Sequence, residues 1–373
     1  MKLLIATPAS QRAGGAQSIL YSFLGNLDGT RIDPLVVFLA QGEFEPEVAA
    51  LGVRTVTVPT TRLRWGGSAI PAIRRLRAII DRESPDLVLG WGPKAQVYLG
   101  PACRLGGIGD RCVWRATELP QAAVHRLAVT LPAAAIICAS AFVARAHERV
   151  RPRRRVLVSH PGLEPPPPPL DGEVEKLRSE LGVGPGTHVV GNVGRLVPVK
   201  RQERVLRLVA ELRRRGIAAH ALLVGGDVQG FAPGHERSLR SLAKELDLDG
   251  AVTFTGHVRA VGLYLSAMDV FVSTASEEGF GAAVVEALSL GVPIVSVDRG
   301  GPAEILVDGE SGLLVPDESD DALVGAVERV LTDRELGERL RAGGRARFES
   351  HFNAKAGARR LQTVLEELAL RAQ

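Results

Sequence analysis

Cysteine, aromatic residues and long apolar runs are all scarce in this chain. There are three cysteines, Cys103, Cys112 and Cys138, with no Cys-x-x-Cys pair and no histidine at metal-ligand spacing. That excludes a disulfide framework and a zinc site, and it fits a reducing cytoplasm. Aromatics make up 4% of the residues and no RNA-binding motif is present, so nucleic acid is not an expected partner. No apolar stretch reaches the roughly 18 residues that a membrane-crossing helix needs. The nearest, Leu127 to Ala139, is interrupted by Pro132. The opening Met1-Lys2-Leu3-Leu4-Ile5-Ala6-Thr7-Pro8 has too short an apolar core for a signal peptide and reads as a first buried strand.

What is present is a chain of 373 residues with 45% hydrophobic content, enough for two globular domains. Its net charge of +4 hides an asymmetry: residues 1–163 hold 21 Lys and Arg against 11 Asp and Glu, and the remainder 25 against 31. A basic first half attracts a phosphorylated acceptor or an acidic membrane leaflet; arginine dressing of exposed helices gives the same balance. The run Arg149 to Arg155, broken by Val150 and Pro152, tilts the reading toward a surface role.

Short apolar runs alternate with helix-length amphipathic segments, as in α/β sheets with crossover helices. Strands are predicted at Leu3–Thr7, Leu35–Leu39, Val53–Val58, Asp86–Leu89, Cys112–Arg115, Ala135–Ala139 and Val156–Ser159. Pro161-Gly162-Leu163-Glu164 and the five prolines Pro165 to Pro169 then form a stiff extended segment, the natural boundary. A second series follows at Val189–Val193, Ala221–Val224, Val252–Thr255, Val270–Ser273, Ile294–Val297 and Gly312–Val315, and the tail Ala354 to Leu370 reads as an amphipathic helix. Two such domains place a ligand at the carboxyl ends of their strands, in the cleft between them.

The densest chemistry lies in Ser276-Glu277-Glu278-Gly279-Phe280-Gly281-Ala282-Ala283-Val284-Val285-Glu286-Ala287, between two predicted strands. Gly279 and Gly281 let the backbone approach a ligand, and the following helix start offers unpaired N–H groups to an anion. Glu278 sits in the loop, Glu286 about two turns into the helix, and Glu277 reads as a solvated side chain. Carboxylates beside a donor-rich helix start suit a ligand with both hydroxyls and phosphates, such as a nucleotide sugar. Earlier, Gly191-Asn192-Val193-Gly194-Arg195-Leu196-Val197-Pro198-Val199-Lys200 puts a guanidinium and an ammonium five residues apart at a strand end. Such a pair can clamp a diphosphate.

Together these segments resemble the Glu-x7-Glu and Gly-Arg-x4-Lys motifs of GT-B glycosyltransferases, most closely the retaining glycosyltransferase family 4. The resemblance implies an α/β GT-B fold of two Rossmann-like doubly wound domains. Residues 1–163, joined by the last helix at about 354–373, would bind the acceptor. Residues 164–186 would be linker and lead-in, and residues 187–353 would bind the donor. It further implies that Arg195 and Lys200 hold the nucleotide's phosphates, that Glu286 binds the ribose hydroxyls, and that Glu278 faces the donor sugar beside the amides of Gly279, Phe280 and Gly281. Gly256-His257-Val258 matches the loop that seats the base, and Gly225-Gly226-Asp227 a glycine turn. Ala13-Gly14-Gly15-Ala16-Gln17, before an apolar helix from Ile19 to Leu27, matches a loop that closes over the donor phosphates, with Gln17 in place of the commoner Glu. Two departures stand out. Arg201 occupies the position of the usual glycine after the lysine. The histidine that many relatives carry after the fifth strand is missing from Trp114-Arg115-Ala116-Thr117-Glu118-Leu119-Pro120. Thr117 and Glu118 are its candidate equivalents, Glu118 being the acceptor-side choice, and His125 reads as a helix residue too far along. Trp65, Trp91 and Lys94 lie where the acceptor side would be lined, each Trp reading equally as packing.

The implied activity is transfer of a sugar from a nucleoside diphosphate donor, a UDP-sugar being expected, to an acceptor hydroxyl with retained configuration. No metal or other cofactor is expected, because cations already face the leaving group. An anionic or lipid-linked acceptor is expected, with cytoplasmic location and peripheral association at the inner face of the membrane. A GT-B epimerase would turn over donor without acceptor; a nucleotide-sugar sensor would never release nucleoside diphosphate.

Overall fold

The computed structural model describes residues 1–11, 14–60, 69–121, 123–150, 155–227, 230 and 232–372. Trp65, Ala13 and Arg151 to Arg154 of the basic run lie outside the described residues. Two compact units are present: Met1–Leu163 with Phe352–Gln373, and Glu164–His351.

Unit one is built on a seven-stranded sheet, β1 (Lys2–Thr7), β2 (Asp33–Phe38), β3 (Arg54–Thr57), β4 (Leu87–Trp91), β5 (Cys112–Ala116), β6 (Ala135–Cys138) and β7 (Val156–Val158). Every pairing is parallel, in the order β3-β2-β1-β4-β5-β6-β7. The central strands are buried on both faces, which is why they read as unbroken Val, Ile and Leu runs. The first helix spans Gly15–Gly25 rather than the expected Ile19 to Leu27, since Gly15 joins the helix and Gly14 caps it. The last helix, Ala354–Arg371, packs into this unit: Gln362 Oε1 accepts from the Asp28 amide at 3.2 Å, and Glu366 pairs with Arg31. Gly162 and Gly357 touch backbone to backbone, so a Cβ on either would overlap the other.

Unit two carries a six-stranded sheet, β8 (His188–Val193), β9 (Ala219–Val224), β10 (Val252–Phe254), β11 (Val270–Ser273), β12 (Ile294–Val297) and β13 (Leu313–Val315). It is again wholly parallel, in the order β10-β9-β8-β11-β12-β13. The amphipathic helices Gln202–Arg214 and Asp320–Thr332 lay Val205, Leu208, Val209, Leu212, Leu323 and Val327 on this sheet. The strand order reverses between β8 and β11, so the connections leaving those two strands diverge and open a crevice at their carboxyl ends. Asn192 Nδ2 bridges the gap by donating to the Val272 carbonyl at 2.8 Å.

Candidate functional site

The crevice between β8 and β11 is walled by backbone. Past β8 the chain turns at Gly194, runs through a short 3-10 turn, Pro198–Lys200, and enters the helix Gln202–Arg214. Past β11 it makes the loop Thr274–Gly281 and enters the helix Ala282–Leu290, with Gly281 (φ +103°) as the residue before the first turn. A side chain at that φ is strained, and a Cβ there would also press on Pro302, so glycine is required twice over.

Hydrogen bonds stitch neighbouring turns together. The Gly194 amide donates to the Val224 carbonyl, and the Gly225 amide to the Gly256 carbonyl. Gly225 lies so close to the Gly194 carbonyl that a Cβ would come within 2.1 Å of its oxygen. Across the crevice, the Ser276 amide donates to the Val199 carbonyl, and the buried Thr274 hydroxyl lies 2.8 Å from the Lys200 carbonyl and 3.0 Å from that of Arg201. The Gly301 amide, past β12, donates to the Glu278 carbonyl at 2.8 Å, and Gly301 has no room for a Cβ against Phe280.

Onto this frame the sequence-predicted residues fall as follows. Lys200 Nζ forms an ion pair and hydrogen bond with Glu278 Oε2, both side chains about one-fifth exposed. The ammonium also lies against Gly194, 3.6 Å from where a Cβ would stand. Arg195 is exposed at the same turn, and its carbonyl is fixed by the buried Gln202 amide at 2.8 Å. Glu286 is half-buried in the second turn of the helix Ala282–Leu290, and burial pushes its carboxyl up to about 7. His257 is exposed and Val258 half-buried past β10, with the His257 amide close to Gly226. Gly279 and Phe280 are buried within the loop.

The other predicted residues belong to unit one. Gly14 and Gly15 follow β1, and Glu118 follows β5. The Glu118 carboxylate lies 3.3 Å from Nε2 of His125, a buried residue of the helix Ala123–Thr130, and its carbonyl lies 3.3 Å from Nε2 of the buried His147. Burial pushes the His147 imidazole down to about 4. Trp91 follows its packing alternative: it ends β4, 3% exposed, stacks on Phe23 and donates from Nε1 to the Ala16 carbonyl. Lys94 opens the helix Pro93–Leu105, where desolvation lowers its pKa.

Sequence reasoning missed four contributors to the unit-two crevice. Thr274 and Arg299 pin the Glu278 loop, Arg299 through its Nε to the Ser276 carbonyl at 2.7 Å. Gly301 pins it from beyond β12; the diglycine Gly300-Gly301 at a strand end was the available signal. Asp317 gathers three arginines from two segments, and nothing local in the sequence marks it.

Chemically, the crevice offers two cations on one turn, a carboxylate paired with one of them, a second, desolvated carboxylate in the second turn of the following helix, and glycine turns that leave backbone amides approachable. Residues 173–347 match the family model for glycosyl transferases group 1. The chain is 28% identical over 369 residues to a GDP-mannose-dependent alpha-(1-6)-phosphatidylinositol monomannoside mannosyltransferase of Mycobacterium tuberculosis H37Rv, covering 92% of each. It is 34% identical over 200 residues to a D-inositol 3-phosphate glycosyltransferase of Nocardia farcinica, covering 52% of this chain and 43% of that one. Among solved structures, Anabaena HepE in complex with UDP and glucose superposes with a TM-score of 0.84 at 22% identity, covering 98% of this chain and 99% of the other. The fold is therefore GT-B.

Proposed function

We propose that this chain, whose residues 173–347 match the family model for glycosyl transferases group 1, is a glycosyltransferase that moves a hexose from a nucleoside diphosphate donor to a phosphate-bearing acceptor hydroxyl with retained configuration. The observation that carries this reading is the contact of Lys200 with Glu278 at the point where the strand order of unit two reverses, with the half-buried Glu286 on the helix that follows the same loop.

In this reading the diphosphate lies on the β8 turn. Arg195 and Lys200 offset the negative charge that gathers on it as the bond from C1 to the leaving oxygen lengthens. Glu278 accepts from hydroxyls of the sugar, and Glu286, ionised when ligand is bound, accepts from the two ribose hydroxyls. Gly14 and Gly15 add amides to the phosphates, and the backbone at His257 and Val258 holds the base. The acceptor oxygen bonds to C1 on the face that the diphosphate leaves, and its proton passes to the leaving phosphate oxygen. Glu118, beside His125, orients the acceptor hydroxyl. Arg195 and Lys200 supply the charge a metal would otherwise bring, so transfer is expected to survive EDTA.

For the donor, GDP-mannose is favoured over the UDP-sugar that the motifs alone suggested. The mannosyltransferase relative, similar over 92% of both chains, is GDP-mannose-dependent by name, whereas the UDP-bound structure shares 22% identity. Inositol recurs in the names of both relatives, so an inositol phosphate or its lipid-linked form is the acceptor to try first. The basic balance of residues 1–163 supports such an anionic acceptor and a cytoplasmic enzyme working peripherally at the membrane. Among the described residues, no helix is long and apolar enough to cross a membrane.

A thermal-shift titration with GDP, UDP, ADP and dTDP, with and without EDTA, tests the reading. A ligand at 100 times its Kd adds roughly 2.7 kcal/mol to the folded state. An upward shift with GDP that EDTA leaves intact is expected. No shift with any of the four overturns the nucleotide-sugar assignment.

A further inference from the structure

Three residues other than glycine have left-handed backbone among the described residues: Ser84, Asp247 and Arg201. The first two follow the ends of helices, Ile70–Glu83 and His235–Glu245, where a left-handed residue is the ordinary stop. Arg201 is different. At φ +51° and ψ +44° it closes the short 3-10 turn Pro198–Lys200, its amide donating to the Pro198 carbonyl, and leads with no intervening residue into the helix Gln202–Arg214, directly after Lys200. An L-residue resists this conformation, which persists only where its surroundings impose it.

The surroundings are specific. Arg201 donates through Nη1 to Asp317 Oδ1 at 2.7 Å, and its carbonyl is held by the Thr274 hydroxyl. Asp317, 9% exposed, lies just past β13 and is a junction for three guanidinium groups. Arg204 reaches its Oδ1 at 3.4 Å, and Arg299 reaches its Oδ2 at 3.2 Å. Arg299 in turn donates to the carbonyl of Ser276, two residues before Glu278. One nearly buried carboxylate therefore grips both lips of the crevice, the Lys200 side through Arg201 and the Glu278 side through Arg299.

We propose that Asp317 is a positioning residue for the phosphate-binding lip, acting through Arg201 and Arg299 to set where the Lys200 ammonium stands. The inference rests on the reading of Lys200 as a phosphate contact. A turn that glycine would adopt freely is here held by an arginine, and the carboxylate that grips this arginine also ties down the opposite loop. Asp317 touches neither sugar nor phosphate in this account. Its effect is confined to the diphosphate increment of binding.

Titration calorimetry with GDP and GMP, and with UDP and UMP in parallel, provides the test, using wild type, Asp317→Asn, Arg201→Ala and Arg201→Gly, each with its melting temperature. Wild type is expected to prefer the diphosphate over the monophosphate. Asp317→Asn and Arg201→Ala are expected to reduce that preference at least tenfold, because the β-phosphate end of the ligand loses its placed cation while the base and ribose contacts stay. Arg201→Gly, free to adopt the turn, recovers most of what Arg201→Ala loses. A general loss of stability lowers melting temperature and both affinities without moving their ratio. If the ratio stays within twofold of wild type in both Asp317→Asn and Arg201→Ala, the network serves the fold alone and the inference is overturned. Should Asp317→Asn fail to fold, the contrast between Arg201→Ala and Arg201→Gly decides by itself. If wild type binds none of the four nucleotides, the glycosyl-transfer reading falls and takes this one with it; a binding wild type with unmoved ratios takes down only this one.

Discussion

Replacing Glu286 with glutamine should separate the electrostatic state of that side chain from its contacts. Burial raises its pKa from 4.5 to about 7. A carboxyl whose pKa is higher folded than unfolded holds its proton more tightly in the native state. Its contribution is therefore most favourable below pH 4.5 and is lost as pH climbs from 4.5 through 7. A shift of that size corresponds to at most roughly 3 kcal/mol at pH 8, at about 1.4 kcal/mol per pH unit. Glutamine has nearly the same shape and never ionises, so it escapes the loss. For a unit of this size each kcal/mol moves the melting temperature by roughly 2–4 °C. Melting Glu286→Gln beside wild type from pH 5 to pH 8 should give curves that nearly coincide at pH 5 and diverge by up to roughly 6–12 °C at pH 8, the variant being the more stable. The same substitution should weaken nucleotide binding, since a neutral amide is a poorer acceptor for paired ribose hydroxyls than a carboxylate. In wild type, nucleotide affinity should rise with pH through about 7, and in the variant it should be flat. A melting-temperature difference that is constant across the range would refute the desolvation argument, and an unchanged nucleotide affinity would refute the ribose assignment.

Lys200→Ala should cost on the order of 2–4 kcal/mol of transition-state stabilisation, read as a fall of roughly 30- to 1,000-fold in kcat/KM; a loss within a few-fold removes Lys200 from the phosphate site. Gly225→Ala places a Cβ 2.1 Å from the Gly194 carbonyl at φ +130°. Chemical denaturation should show a loss of at least about 3 kcal/mol, with nucleotide binding falling too because the turn before Arg195 is displaced. His147, held at about pKa 4 by burial, binds its proton less readily than an unfolded histidine at 6.5. Its neutral form supports stability above pH 6.5 and that support is lost as pH falls toward 4, so His147→Phe should flatten the acid limb of a melting-temperature profile.

The fold was legible because parallel strands buried on both faces read as short aliphatic runs. Val270–Ser273 and Ile294–Val297 were placed to the residue, and the other strands shift by one or two residues at their ends. Those ends are set by loops, whose geometry depends on partners elsewhere in the chain. Gly15 was read as loop because glycine seldom sits inside a helix, yet at a first turn it costs little and leaves an amide free. For Trp91 the sequence left an acceptor-lining role and packing equally open; its ring stacks on Phe23, a partner that the local sequence does not reveal. The site divides in the same way. Glycines and charges at strand ends point to a crevice, and the resemblance to a family supplied roles for them. Asp317 was invisible because its three arginines are 18 to 116 residues away, and nothing in the string Val315-Pro316-Asp317-Glu318 differs from a helix-approach loop. Arg201 was visible only as a departure, with no sign that its backbone keeps the turn that a glycine would make.

The contact between Lys200 and Glu278 has a consequence for the order in which the two halves of a donor bind. Without ligand, the ammonium and the carboxylate satisfy each other, each about one-fifth exposed. If Lys200 holds the phosphates as proposed, a diphosphate must take it from Glu278, and the freed carboxylate is then left facing the same anion until hydroxyls of a sugar reach it. A nucleoside diphosphate without its sugar pays the first cost and gains nothing from Glu278; a complete nucleotide sugar gains both. Glu278→Gln should therefore tighten GDP roughly three- to tenfold, because removing a partly exposed carboxylate relieves about 1 kcal/mol of competition and repulsion. It should also slow transfer from GDP-mannose, because the sugar loses its ionised acceptor. Calorimetry of GDP beside turnover of GDP-mannose reads both effects. Weaker binding of GDP in Glu278→Gln would mean that the carboxylate supports the phosphate site rather than competing for it, and the sugar-facing role would have to be given up.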